Sequence, residues 1–192
     1  MKKETYDSLP ARAGKGLLWW LGGKFICVIF NMCMIPLLVR FMAMKIFTAI
    51  ASAIIVNGLF FNFAYNCAVR DKNIVRYHGA ERDLRMSLKM ALTAPLPEYI
   101  MWIALLLSKL GVIGDIFNWY IIGNMQCLAW VDLFTQGRDI GSLSYIGLFG
   151  LLLLILISPV TIILTYEITF RDIDIKALLL YGKKDNSKKT VK

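Results

Sequence analysis

Two stretches of 24 residues constrain this chain more than anything else in it. Residues 46–69 and residues 143–166 each contain no Asp, Glu, Lys, Arg or His. A helix rises about 1.5 Å per residue, so roughly 20 apolar residues cross a hydrocarbon layer of about 30 Å. Both stretches reach that length. A soluble domain can hide one such helix, but a chain of 192 residues cannot shield several. The composition agrees: 58% of the residues are hydrophobic, and the charges fall in blocks between the apolar runs. The fold expected is an all-α, polytopic transmembrane helix bundle of about four spans.

The first span is expected over residues 25–39, lengthened by snorkelling of Lys24 and Arg40, with Pro36 able to kink it. Before it, residues 1–16 read as a loosely ordered cytoplasmic segment. Residues 17–21 (LLWWL) read as an interfacial turn, broken from the span at Gly22-Gly23. The second span is residues 46–69. Residues 70–94 form a cytoplasmic polar loop whose second half is an amphipathic helix with Leu84, Leu88 and Leu92 on one face. Pro95 and Pro97 interrupt that helix before a third span at 96–113, and the last span is 143–166. The transmembrane domain is bounded at 17–182, and the lysine-rich tail 183–192 is too polar to pack.

Residues 116–134 (IFNWYIIGNMQCLAWVDLF) are long enough to cross but carry Asn118, Asn124, Gln126 and Asp132. They read either as a fifth span or as a re-entrant or interfacial helix. Charge placement arbitrates. With four spans and both termini cytoplasmic, only Arg40, Lys45, Lys109 and Arg138 of the 22 basic residues lie outside. A fifth span would spread them almost evenly. Retention of Lys and Arg on the cytoplasmic side favours four spans plus a re-entrant or interfacial helix.

The same retention explains the net charge of +9, with anionic headgroups as the partner and no nucleic-acid motif beside it. Arg70, Lys72, Arg76, Arg82, Arg85, Lys89, Lys183 and Lys184 are the expected contacts with anionic lipid.

Packing faces in a bilayer are marked by small and polar residues, because lipid tails do not reward apolar burial. On the last span Ser144, Gly147, Gly150, Ser158, Thr161 and Thr165 share one side. On the second span Ala49, Ala53, Asn57 and Ala64 make one face, and Thr48, Ser52, Gly58, Asn62 and Asn66 another. Asn31 and Cys27 on the first span are candidate partners of Asn62 and Asn66. These residues either seal helix seams or line a path. Glu98 and Asp132 are expected near opposite interfaces, where a carboxylate reaches water at little cost.

Catalytic chemistry has little support. There is one histidine, no H-E-x-x-H, no G-x-S-x-G, no phosphate loop and no C-x-x-C pair among Cys27, Cys33, Cys67 and Cys127. No catalytic residue, metal site or cofactor is expected. The function expected is that of a non-catalytic subunit in the cell membrane, bound to another membrane protein or to itself. The alternatives are a small homo-oligomeric transporter or channel and, behind it, a lipid-active enzyme.

Overall fold

A computed structural model of the chain describes residues 7–38, 41–135 and 139–173. The basic tail with Lys183 and Lys184 lies outside the described residues. Seven α-helices and no strand are present among the described residues: α1 (Leu9–Leu38), α2 (Met42–His78), α3 (Met86–Thr93), α4 (Leu96–Lys109), α5 (Phe117–Gly123), α6 (Leu128–Phe134) and α7 (Tyr145–Phe170). The molecule is an all-α membrane bundle in which α1, α2 and α7 are each long and apolar enough to cross.

Ladders of side-chain contacts fix the direction of each helix. Arg12 meets Asp71, Gly23 faces Val56 and Leu59, and Asn31 bonds Ser52, so α1 and α2 run antiparallel. Tyr166 reaches Asp71 and Thr161 reaches Asn57, so α7 runs parallel to α2. Ion pairs Arg70–Asp7, Lys72–Asp172 and Arg82–Glu167 gather the start of α1, the end of α2 and the end of α7 at one end of the bundle.

The candidate third crossing is made in two pieces. α3 and α4 meet at a 51° bend beside Pro95 and Pro97, where the tertiary amide and the ring clash with the preceding turn interrupt the helix. Ser87 at the top bonds Glu167 of α7, while the Trp102 indole donates to the Leu148 carbonyl near α7's other end. The bent pair therefore spans most of the length of α7. It starts at Met86, ten residues before the start expected from the sequence.

Residues 116–134 fold as a short helical hairpin, the shape expected of a re-entrant element. Asp115 lies at the end opposite the N-terminus, accepting from the Ile140 amide. The chain then climbs through α5 to Asn124, which bonds Lys24 in the middle of α1. A 3₁₀ turn at Met125–Cys127 reverses it, and α6 returns so that Trp130 donates to the Ala49 carbonyl and Asp132 pairs with Lys45. At seven residues each, α5 and α6 rise only about 10 Å, too short for either to cross.

Several local expectations are corrected. Helix α1 begins at Leu9 and runs unbroken through Gly22-Gly23. Its glycines serve close approach instead: a Cβ on Gly16 would stand 2.6 Å from the Ala94 Cβ, and one on Gly23 would stand 3.3 Å from Leu59. Helix α2 continues past residue 69 to His78 and ends on Gly79, whose φ of 64° suits a residue without a Cβ. Leu84, Leu88 and Leu92 point outward, while Met86, Ser87, Met90 and Ala91 pack inside. In lipid that is the favoured arrangement, because a side packed with small residues lets helices approach and leucine meets acyl chains without loss. An Asx turn, with Asp83 accepting from the Arg85 amide and from Lys89, opens α3.

The outward surface of α7 from Ile146 to Leu164 is apolar throughout, a belt of about 27 Å. Two buried apolar cores lie within the bundle. One joins Phe60, Phe63, Met90 and Ile162; the other joins Leu105, Phe117, Val131 and Leu151.

Candidate functional site

Between the two cores, at mid-depth of the belt, four polar side chains converge from three elements that are distant in sequence. Lys24 comes from α1, Glu98 from α4, and Asn124 and Gln126 from the re-entrant tip. The Lys24 ammonium donates to Asn124 Oδ1 at 2.5 Å and stands 3.8 Å from Glu98 Oε1. Glu98 Oε1 also accepts from Gln126 Nε2 at 3.0 Å and from the Trp20 indole at 3.1 Å. The Trp20 ring lies 4.9 Å below the ammonium, adding a cation–π contact. Glu98 is 3% exposed and Lys24 8%.

Glu98 thus sits deep, where the sequence suggested an interface. The reason is the early start of the third crossing: Glu98 stands twelve residues inside it, about 18 Å along the helix axis. Lys24 does not snorkel to water, because a carboxylate, an amide oxygen and an indole face hold it in place. Asp132 does lie near the far end, half-exposed, 3.3 Å from Lys45.

Beside the cluster is a chamber of about 30 Å³, bordered by Asn57, Glu98, Gln126 and Ser158 with apolar walls of Val56, Trp130 and Ile155. That is room for one or two waters. Gln126 Oε1 and Asn124 Nδ2 are buried with no hydrogen-bond partner among the described residues. An amide left so is expensive, and a water in the chamber would serve the Gln126 oxygen.

The other residues singled out from the sequence separate into seams and surface. Asn31 donates to the Cys27 carbonyl and to Ser52 Oγ, so it does not meet Asn62 or Asn66. Asn57 donates to the Ala53 carbonyl and accepts from Thr161, tying α2 to α7. Gly147 and Gly150 pack under Phe134, and Thr165 is buried beside α2. Asn62 and Asn66 face outward from the bundle and bond each other at 3.2 Å.

Of the expected lipid-contact residues, Arg70, Lys72, Arg82 and Lys89 each pair with a carboxylate. Arg76 lies over the Tyr77 ring, and among the described residues no ion pair involves Arg85. A second buried cluster was not foreseen. The Arg12 guanidinium grips both oxygens of Asp71 at 2.5 and 2.6 Å, and the Tyr166 hydroxyl donates to the same carboxylate at 2.6 Å.

The fold and this buried cluster define a class: an α-helical membrane bundle with three to four candidate spans and a polar cluster at its middle. Comparison with protein-family models, with curated proteins and with solved structures finds no match for the chain.

Proposed function

We propose that the chain is a non-catalytic, multi-pass subunit of a complex in the cell membrane, docked through the outer face of α2 to a transmembrane helix of another protein. The supporting observation is the stripe Ile54, Gly58, Asn62 and Asn66. All four are exposed, and a side chain on Gly58 would meet nothing within 4 Å. Asn62 lies about 12 Å along the axis from Arg70, within hydrocarbon depth. Two carboxamides there satisfy one hydrogen bond between them and leave the rest facing acyl chains, which offer no partner. A partner helix supplies donors and acceptors, and Gly58 admits its backbone closely. By contrast, the polar groups inside the bundle are used mainly by one another, the pattern of a scaffold.

A photo-crosslinker at position 61 should capture a distinct membrane protein in native membranes, and Gly58→Leu with Asn62→Leu should abolish the adduct. Adducts only between copies of this chain, or a lone monomer in gentle detergent, would overturn the reading. So would ion or solute flux through liposomes holding this chain alone. That outcome favours a small transporter or channel, the alternative to which the midplane chamber lends its weight. A lipid-active enzyme has less support: Glu98 does meet other polar groups, but at 3% exposure it is sealed from the bilayer, and Asp132 pairs with Lys45 near the far end.

The end that carries Asp7, residues 79–85 and Asp172 is assigned to the cytoplasm, since the basic blocks cluster there. A cysteine at Glu81 in intact cells should resist a membrane-impermeant maleimide and react after permeabilisation. Labelling from outside would reverse the orientation.

A further inference from the structure

At the charged end of the bundle, α1 and α2 enclose a pocket of about 140 Å³ lined by Asp7, Lys15, Trp19, Phe63, Asn66 and Arg70 among others. Its chemistry is arranged for an anion. Lys15 Nζ and Arg70 Nη1 converge on a single oxygen, Asp7 Oδ2, at 2.7 and 2.6 Å. Arg12 and Asp71 also border the pocket, but they neutralise each other. With Asp7 in place one positive charge remains in excess; with Asp7 withdrawn there are two. The Lys15 hydrogen bond and the nearby Arg70 hold the Asp7 carboxyl below the usual carboxylate range, so it stays charged near neutrality.

We propose that this pocket binds the phosphate of an anionic phospholipid, and that Asp7 closes it as an internal competitor. Both cations remain half-exposed, so an incoming phosphate reaches them without unpacking the bundle. A phosphate presents more acceptor oxygens than the one carboxylate oxygen the two cations now share. The occupant is a lipid and not a free anion because of the pocket's position and walls. It lies at the edge of the apolar belt, and the partly exposed Trp19, packed over the buried Phe63, supplies an apolar wall of the kind acyl chains pack on. Basic pockets between helices at a leaflet's surface recognise headgroups in this way. The pocket shares Asn66 with the docking stripe on α2, but its cations are Lys15 and Arg70 and its test uses the isolated chain, so it stands or falls separately from the partner.

The test is native mass spectrometry of the full chain in mild detergent, titrated with phosphatidylglycerol and, in parallel, phosphatidylcholine. The wild type should retain phosphatidylglycerol preferentially. Asp7→Asn should tighten it by about fivefold, the worth of one unpaired cation near the surface. Lys15→Gln with Arg70→Gln should reduce it to the phosphatidylcholine level, while Lys109→Gln, at the opposite end, should change nothing. Inorganic phosphate at millimolar concentration should not displace the lipid. Equal retention by wild type, Asp7→Asn and the double variant would overturn the proposal. Displacement by inorganic phosphate would overturn its lipid half. Melting curves of each variant separate lost binding from lost fold.

Discussion

Glu98→Leu lowers the stability of the folded protein by about 3–5 kcal/mol, the cost of stranding one member of a buried ion pair. With the carboxylate gone, Lys24 keeps only Asn124 Oδ1 and the Trp20 ring, the Trp20 indole loses its acceptor, and the Gln126 amide keeps only its 3.4 Å bond to Asn124 Oδ1. Adding Lys24→Met should restore most of the loss, because a buried pair replaced by apolar side chains of similar size is close to neutral. Thermal or SDS unfolding in mild detergent, followed by tryptophan fluorescence, reads both variants. If Glu98→Leu unfolds with the wild type, or the double variant is worse than the single, the pair does not hold the hairpin tip.

The second large effect is at the bundle's charged end. Asp71 is 1% exposed and accepts from Arg12 twice and from Tyr166 once, so one carboxylate joins α1, α2 and α7. Asp71→Ala is expected to cost about 3–5 kcal/mol, since it leaves a guanidinium buried without its counter-charge. Tyr166→Phe, which removes one hydrogen bond to a charged acceptor, should cost about 1.5–3 kcal/mol. The location of the damage discriminates further. Hydrogen exchange should rise over the first turns of α1, where Arg12 is the anchor, and stay unchanged in α6 at the other end. Protection of α1 that survives in Asp71→Ala would show that apolar packing alone seats it.

The two clusters also show where sequence reading stops. The re-entrant reading of residues 116–134 was available from charge placement, because a fifth span would have put the lysine-rich end on the wrong side. The polar composition of its turn, Asn124 and Gln126, was visible too. Their partners were not, because Lys24 looked like a snorkelling residue at the edge of a span starting at Phe25. Once α1 is seen to start at Leu9, Lys24 lies at its middle, and a lysine there requires an acceptor. The signal that would have found it is arithmetic of depth. Few carboxylates stand inside apolar runs, and Glu98 is one of them. Similarly, Asp71 was hidden by the assumption that the polar segment after Val69 is a loop, whereas helix α2 continues for about two and a half further turns to His78.

The all-α bundle and its long apolar helices follow from the sequence itself. Apolar length and charge placement are local quantities, and the bilayer penalises their violation residue by residue. Which face of α2 meets lipid, which face of α3 meets its neighbours, and how deep Glu98 lies were decided only by the assembled structure. Those depend on helix rotation and on the exact register of one helix against another. Both are set by contacts between residues separated by 60 to 100 positions, such as Arg12 with Asp71 and Lys24 with Asn124.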